Sequence, residues 1–302
     1  MLSFLSGDEM SDNPFVKLHL AILIAGFTGI LGKLIQLPEG PLVWWRLLLT
    51  SVLFIAYLSL RKQLPRVSFC DGLGICGVGT LLAIHWLFFY GSIKYANVSI
   101  AVVCFALTGF FTAVFESLFN RRLPLVRELL FSMITVLGVA LIFHFDTQFR
   151  TGIVLGVLSA AGAALFTLAT KRVGRNHEAN TILLFQMVGG FGFITLAVPV
   201  YLAFFPDVTL LPTPADIVFL LILSSVCTIG LFLLEIQALR QISAFTVNLS
   251  FNLEPIYSIL LAMILFGEAS ELGMSFFVGL GLICFSVVLQ TLYTMHQMTG
   301  VR

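Results

Sequence analysis

The chain has 302 residues, of which 59% are hydrophobic and only 10% charged, and its mean hydropathy is +1.05. A soluble domain carries about 25% charged residues; 16 Lys and Arg with 15 Asp and Glu cannot clothe a water-facing surface of this size. A soluble enzyme, a nucleic-acid binder and a disordered chain are excluded, and a net charge of +1 points to no polyanionic partner.

A helix crosses the hydrocarbon core with about 20 apolar residues. Ten such runs follow one another: Leu18–Gln36, Leu42–Leu60, Gly72–Ile93, Val98–Phe119, Leu129–Phe145, Gly152–Lys171, Thr181–Phe204, Ala215–Leu239, Ala244–Phe266 and Gly273–Tyr293. Short breakers separate them, such as Leu37-Pro38-Glu39-Gly40-Pro41 and Arg172-Val173-Gly174-Arg175-Asn176. The first 15 residues carry Asp8, Glu9 and Asp12 without a positive charge, and read as a short tail rather than a signal peptide. With the N-terminus inside, 12 of the 16 Lys and Arg fall in cytoplasmic segments, which predicts both termini in the cytoplasm.

The two halves of the chain mirror each other in span order. A shift of 146 residues lays Lys94 over Arg240 and Phe105 over Phe251; a shift of 138 lays Lys33 over Lys171; a shift of 143 lays Gly138 over Gly281. Five helices per half is an odd number, so two similar halves must sit in the membrane with opposite orientations. The expectation is an all-α polytopic membrane protein, with ten transmembrane helices as two inverted five-helix repeats, residues 1–148 and 149–302.

Leu253-Glu254-Pro255-Ile256-Tyr257, followed by Leu265-Phe266-Gly267-Glu268, resembles the ninth-helix signature of the drug/metabolite transporter superfamily, EamA type. Trp44-Trp45-Arg46 resembles the opening of that family's second helix, and Phe89 to Ala96 its junction of third and fourth helices. The first half departs from the pattern, with Gly109 and Arg121-Arg122 where the second has Pro255 and Gly267-Glu268. The resemblance implies export or exchange of small metabolites such as amino acids, amines or related compounds, and a place in a bacterial plasma (inner) membrane.

A charge deep in a bilayer costs roughly 2.5–3.5 kcal/mol, so each one requires an account. Glu254 stands mid-span beside Pro255, which removes a backbone donor and frees a carbonyl one turn back. Asn248 and Asn252 are spaced i, i+4 beside it. The group can accept a proton or a substrate amine, or it can mark a kink. His85, mid-span in the third helix, can relay a proton or rest in a simple hydrogen bond. Trp86 and Tyr257 can wall an amphiphilic substrate or merely pack; Lys33 and Arg46 can draw a carboxylate, pair with Glu39 or snorkel. Glu235, five residues before Arg240, reads as an interfacial ion pair. Gly26, Gly29 and Gly32 in the first helix, and Ser159 to Ala164 in the sixth, present small faces for close approach.

No serine–histidine–acid spacing, HExxH, P-loop or dinucleotide fingerprint is present, and neither a metal site nor a cofactor is expected. The expected function is that of a secondary transporter rather than an enzyme: an exporter of small metabolites working by alternating access, with the lipid bilayer as its surroundings, protons as a possible coupling ion and no obligatory protein subunit. The alternatives are an intramembrane enzyme acting on a lipid-linked substrate and a passive uniporter or channel.

Overall fold

The computed structural model describes residues 13–121, 126–145 and 147–299, so the acidic residues of the N-terminal tail and Asp146 lie outside the described residues. The first helix, α1 (Pro14–Leu34), opens where the Asn13 side chain accepts the Phe15 N–H and Pro14 occupies the first turn. Then come α2 (Glu39–Leu60), α3 (Phe69–Tyr95), α4 (Val98–Phe105), α5 (Thr108–Phe119), α6 (Val126–Phe145), α7 (Arg150–Val173) and α8 (Ala179–Phe204). The chain continues through α9 (Pro214–Ser224), α10 (Leu231–Gln241), α11 (Ala244–Ser250), α12 (Glu254–Phe266) and α13 (Met274–Thr299). The described residues contain no strand.

These elements make ten spans. Among the described residues, seven helical stretches are long and apolar enough to cross a membrane, and three shorter apolar helices, Ser132–His144, Glu254–Phe266 and Met274–Ser286, fall in the remaining spans. The protein is therefore an all-α polytopic membrane protein with the ten-helix plan.

Three of the spans are interrupted. The fourth breaks between α4 and α5, where Thr108 Oγ1 donates to Phe105 O at 2.6 Å. The eighth widens into a π-turn at Ser225–Gly230, with Thr228 Oγ1 reaching back five residues to Leu223 O at 2.7 Å. The ninth narrows to a 3-10 turn at Phe251–Leu253, and α12 restarts with Pro255 in its first turn, where the missing N–H costs nothing. Backbone irregularity inside a membrane span is tolerated where protein or a cavity surrounds it.

The halves interlock. The main partners of α3 are α7 and α8 from the second half, and α6 packs chiefly on α13. Glycines set these distances. A Cβ on Gly79 would run into the backbone of Gln186, and one on Gly189 into the backbone of Cys76. Gly138 and Gly279 approach reciprocally: a Cβ on either would lie 2.7 Å from the carbonyl oxygen of the other. Without a hydrophobic drive between helices in lipid, such close backbone packing is a principal source of cohesion.

Candidate functional site

All three interruptions border one central cavity of about 70 Å³. Its wall takes residues from α1, α2, α3, α4, α7, α10 and α12 and from the two turns, so both halves contribute. The volume holds a few waters, and a metabolite requires the helices to part.

Arg46 enters from α2 and is almost fully buried. Its Nε donates to Thr228 Oγ1 at 2.9 Å, one terminal nitrogen to the Tyr90 hydroxyl at 2.5 Å, and the other to Cys227 O at 3.2 Å. The guanidinium lies 3.6 Å from the centre of the Trp86 ring, a cation–π stack. The π-turn explains part of this: its extra residue presents Cys227 O and Thr228 to the cation. Among the described residues every partner of the guanidinium is neutral, so the positive charge is positioned but not cancelled.

Glu254 and Glu235 are buried and line the same cavity. Among the described residues neither carboxyl has a hydrogen-bond or ion-pair partner. The cavity thus joins a guanidinium held by neutral groups to two carboxyls with free acceptor capacity. The ion pair with Arg240 expected for Glu235 is not formed; five residues turn the two side chains about 140° apart on an α-helix, off a common face. Arg240 instead donates to His177 O.

His85 Nδ1 faces Ser159, 3.0 Å from its carbonyl and 2.9 Å from its hydroxyl. The small-residue run of α7 permits that approach, because a Cβ on Gly162 would lie 3.3 Å from His85 Cα. Trp86 contacts Phe232 edge-on, with centroids 5.8 Å apart. Tyr257 and Lys33 are not in the cavity wall: Tyr257 is exposed on α12, and Lys33 pairs with Glu268 rather than Glu39. The side chains of Asn248 and Asn252 lie outside the described residues.

Glu268, beyond the end of α12, is fully buried. It accepts from Lys33 Nζ at 2.8 Å, from the backbone N–H groups of Val98 and Ser99 at 3.1 and 2.9 Å, and from Ser99 Oγ at 2.6 Å. Burial pushes its pKa up, but these donors and the Lys33 charge outweigh burial and hold it below the usual carboxylate range. The start of α4 adds its favourable dipole. Nearby, Lys94 Nζ donates to Ile35 O at 2.5 Å. Elsewhere in the bundle, Lys171 donates to Leu239 O and Ile242 O, beside the Arg240–His177 contact. The pairs Lys33/Lys171 and Lys94/Arg240 are those the sequence offsets align, so each half ties its helix ends with basic residues in corresponding places.

A model of the EamA-like transporter family matches residues 16–144 and again residues 150–292. A Haemophilus influenzae protein described as an uncharacterized transporter is 26% identical over 198 residues, 60% of this chain; the match spans 63% of that relative's length, less than two thirds. One solved crystal structure superimposes with a TM-score of 0.66 at 14% identity, covering 93% of this chain and 98% of that one, which is a likeness of fold.

Proposed function

The chain belongs to the EamA-like transporter family and is a membrane transporter, and from that premise we propose that it exports small metabolites of the amino acid, amine or related kind by alternating access. Residues 1–148 and 149–302 are the two inverted repeats, and the substrate sits between them. The observation that carries this reading is the central cavity, where Arg46 meets Glu254 and Glu235 without an ion pair among the described residues. A guanidinium held by neutral groups offers its charge to a substrate carboxylate. The two carboxyls offer theirs to an amine or a proton. His85 and Trp86 shape the wall. Lys33 and Tyr257 act outside it, Lys33 as part of a closure at the α1, α4 and α12 ends. Proton coupling follows if Glu254 meets water from each side in turn. The protein works as one chain in a bacterial plasma membrane, with both termini cytoplasmic.

The test has two stages. Metabolites outside cells that have or lack the protein identify the substrate, and the purified chain in proteoliposomes is then assayed for counterflow and for response to an imposed pH gradient. Counterflow with saturation supports alternating access. Non-saturable flux with no exchange points to a pore, and a chemically altered product to an enzyme; either overturns the proposal.

A further inference from the structure

A second cavity, of about 570 Å³, lies between the end of α7, the turn at residues 174–178 and the end of α10. It is separate from the central cavity: α7 gives Thr167 to one and Thr170 to the other. Its wall carries Lys171, Arg175 and Arg240 against one carboxylate, Glu178. With His177 neutral, that lining has a net charge of +2. Asp71, 4.0 Å from His177, and Glu116, electrostatically close to Lys171, stand beside the lining rather than in it.

Two of the three cations are fixed by carbonyl oxygens, Lys171 by Leu239 and Ile242 and Arg240 by His177. A carbonyl orients a cation without cancelling its charge, and each retains donors, since an ammonium has three and a guanidinium five. Arg175 is exposed, and among the described residues it has no hydrogen-bond or ion-pair partner. Two guanidinium groups and an ammonium around one volume match the oxygens of a phosphate better than a single planar carboxylate. The volume suits a headgroup-sized ligand.

We propose that this cavity is a binding site for a phosphate-bearing anion. The phosphate can come from an anionic phospholipid, since a basic pocket among helix ends can take such a headgroup, or from a soluble phosphate ester. The site is independent of the substrate proposed for the central cavity.

The experiment uses the purified full-length chain. Native mass spectrometry compares retention of phosphatidylglycerol and phosphatidylcholine, and thermal unfolding in detergent is followed with and without inorganic phosphate. The expected result is preferential retention of phosphatidylglycerol, reduced several-fold in Arg175→Gln and kept in Arg175→Lys, with phosphate displacing the lipid. Stabilisation by phosphate that Arg175→Gln abolishes, without lipid preference, supports the site with a soluble phosphate as its source. Arg66→Gln removes an exposed cation elsewhere and should change neither readout. Equal loss in Arg66→Gln, no loss in Arg175→Gln, or no response to either probe overturns the proposal.

Discussion

Arg46 illustrates how one side chain can be held firmly and still leave its charge available. Three hydrogen bonds to neutral groups and a stack on Trp86 define its pose. Arg46→Lys keeps the charge but loses the fork and the stack, and unpaired buried groups each cost about 1–3 kcal/mol. We expect transport to fall at least tenfold, read as initial uptake in proteoliposomes. The carboxyls invite a paired test. Glu254→Gln should bind and exchange substrate but lose its response to a pH gradient if Glu254 carries coupling, and should lose affinity at every pH if it binds an amine. Unchanged behaviour in both Glu254→Gln and Glu235→Gln would make the pair structural. Glu268 gives the pH prediction. Its folded pKa is lowered from the ordinary value of 4.5, so its ionised form stabilises the fold above that value. The contribution disappears as pH falls through the folded pKa. Glu268→Gln should cost about 3 kcal/mol at neutral pH, and its gap from the parent in thermal unfolding should close below about pH 4. Most of these residues stood out in the sequence because each is a charge inside an apolar run. Their partners did not: Lys33 and Glu268 are 235 positions apart, and no local pattern joins them. Glu235 was misread because its neighbour in sequence, Arg240, is not its neighbour on the helix.

At the scale of elements, the sequence made the ten apolar runs plain, since about 20 residues between charged or Pro-rich breakers is a strong signal. The interior breaks were harder to see. Pro255 announces the ninth, but nothing comparable marks Ala106-Leu107 or Ser225–Gly230, where Ser and Thr hydroxyls take up backbone carbonyls. Such substitution of side-chain for ladder bonds depends on surroundings that a periodicity cannot encode. The α3–α8 contact is similar. No local pattern sets Gly79 and Gly189 apart from the other glycines of the spans, yet each faces backbone of the other helix. Backbone cannot turn aside as a side chain can, so Gly79→Ala should destabilise by at least about 2 kcal/mol. Gly77, which has nothing near its missing Cβ, provides the control: Gly77→Ala should leave the unfolding midpoint almost unchanged, and equal loss in both variants would show that close packing is not the cause.

For the whole molecule, the excess of Lys and Arg on one side predicts the orientation. In a background with Cys70 replaced by Ser, a cysteine at Asp207 should react with an impermeant reagent from outside, while one at Gln63 should not; the reverse pattern sinks the proposed topology. Residues 1–148 expressed alone should not transport, because that fragment lacks Glu235 and Glu254 and most of the second wall. The seam of α6 and α13 remains. Gly138 and Gly279 touch in the same way from both sides, and Thr135 Oγ1 meets Ser286 Oγ 3.1 Å away along the same seam. Under alternating access as proposed, a joint that looks alike from either arm can serve as a fulcrum. Under the proposed mechanism a small tilt about it swings the far ends of both halves by equal and opposite arcs, so one mouth shuts as the other gapes. Gly138→Ala would jam that pivot far from the cavity: ligand affinity should persist while turnover slows.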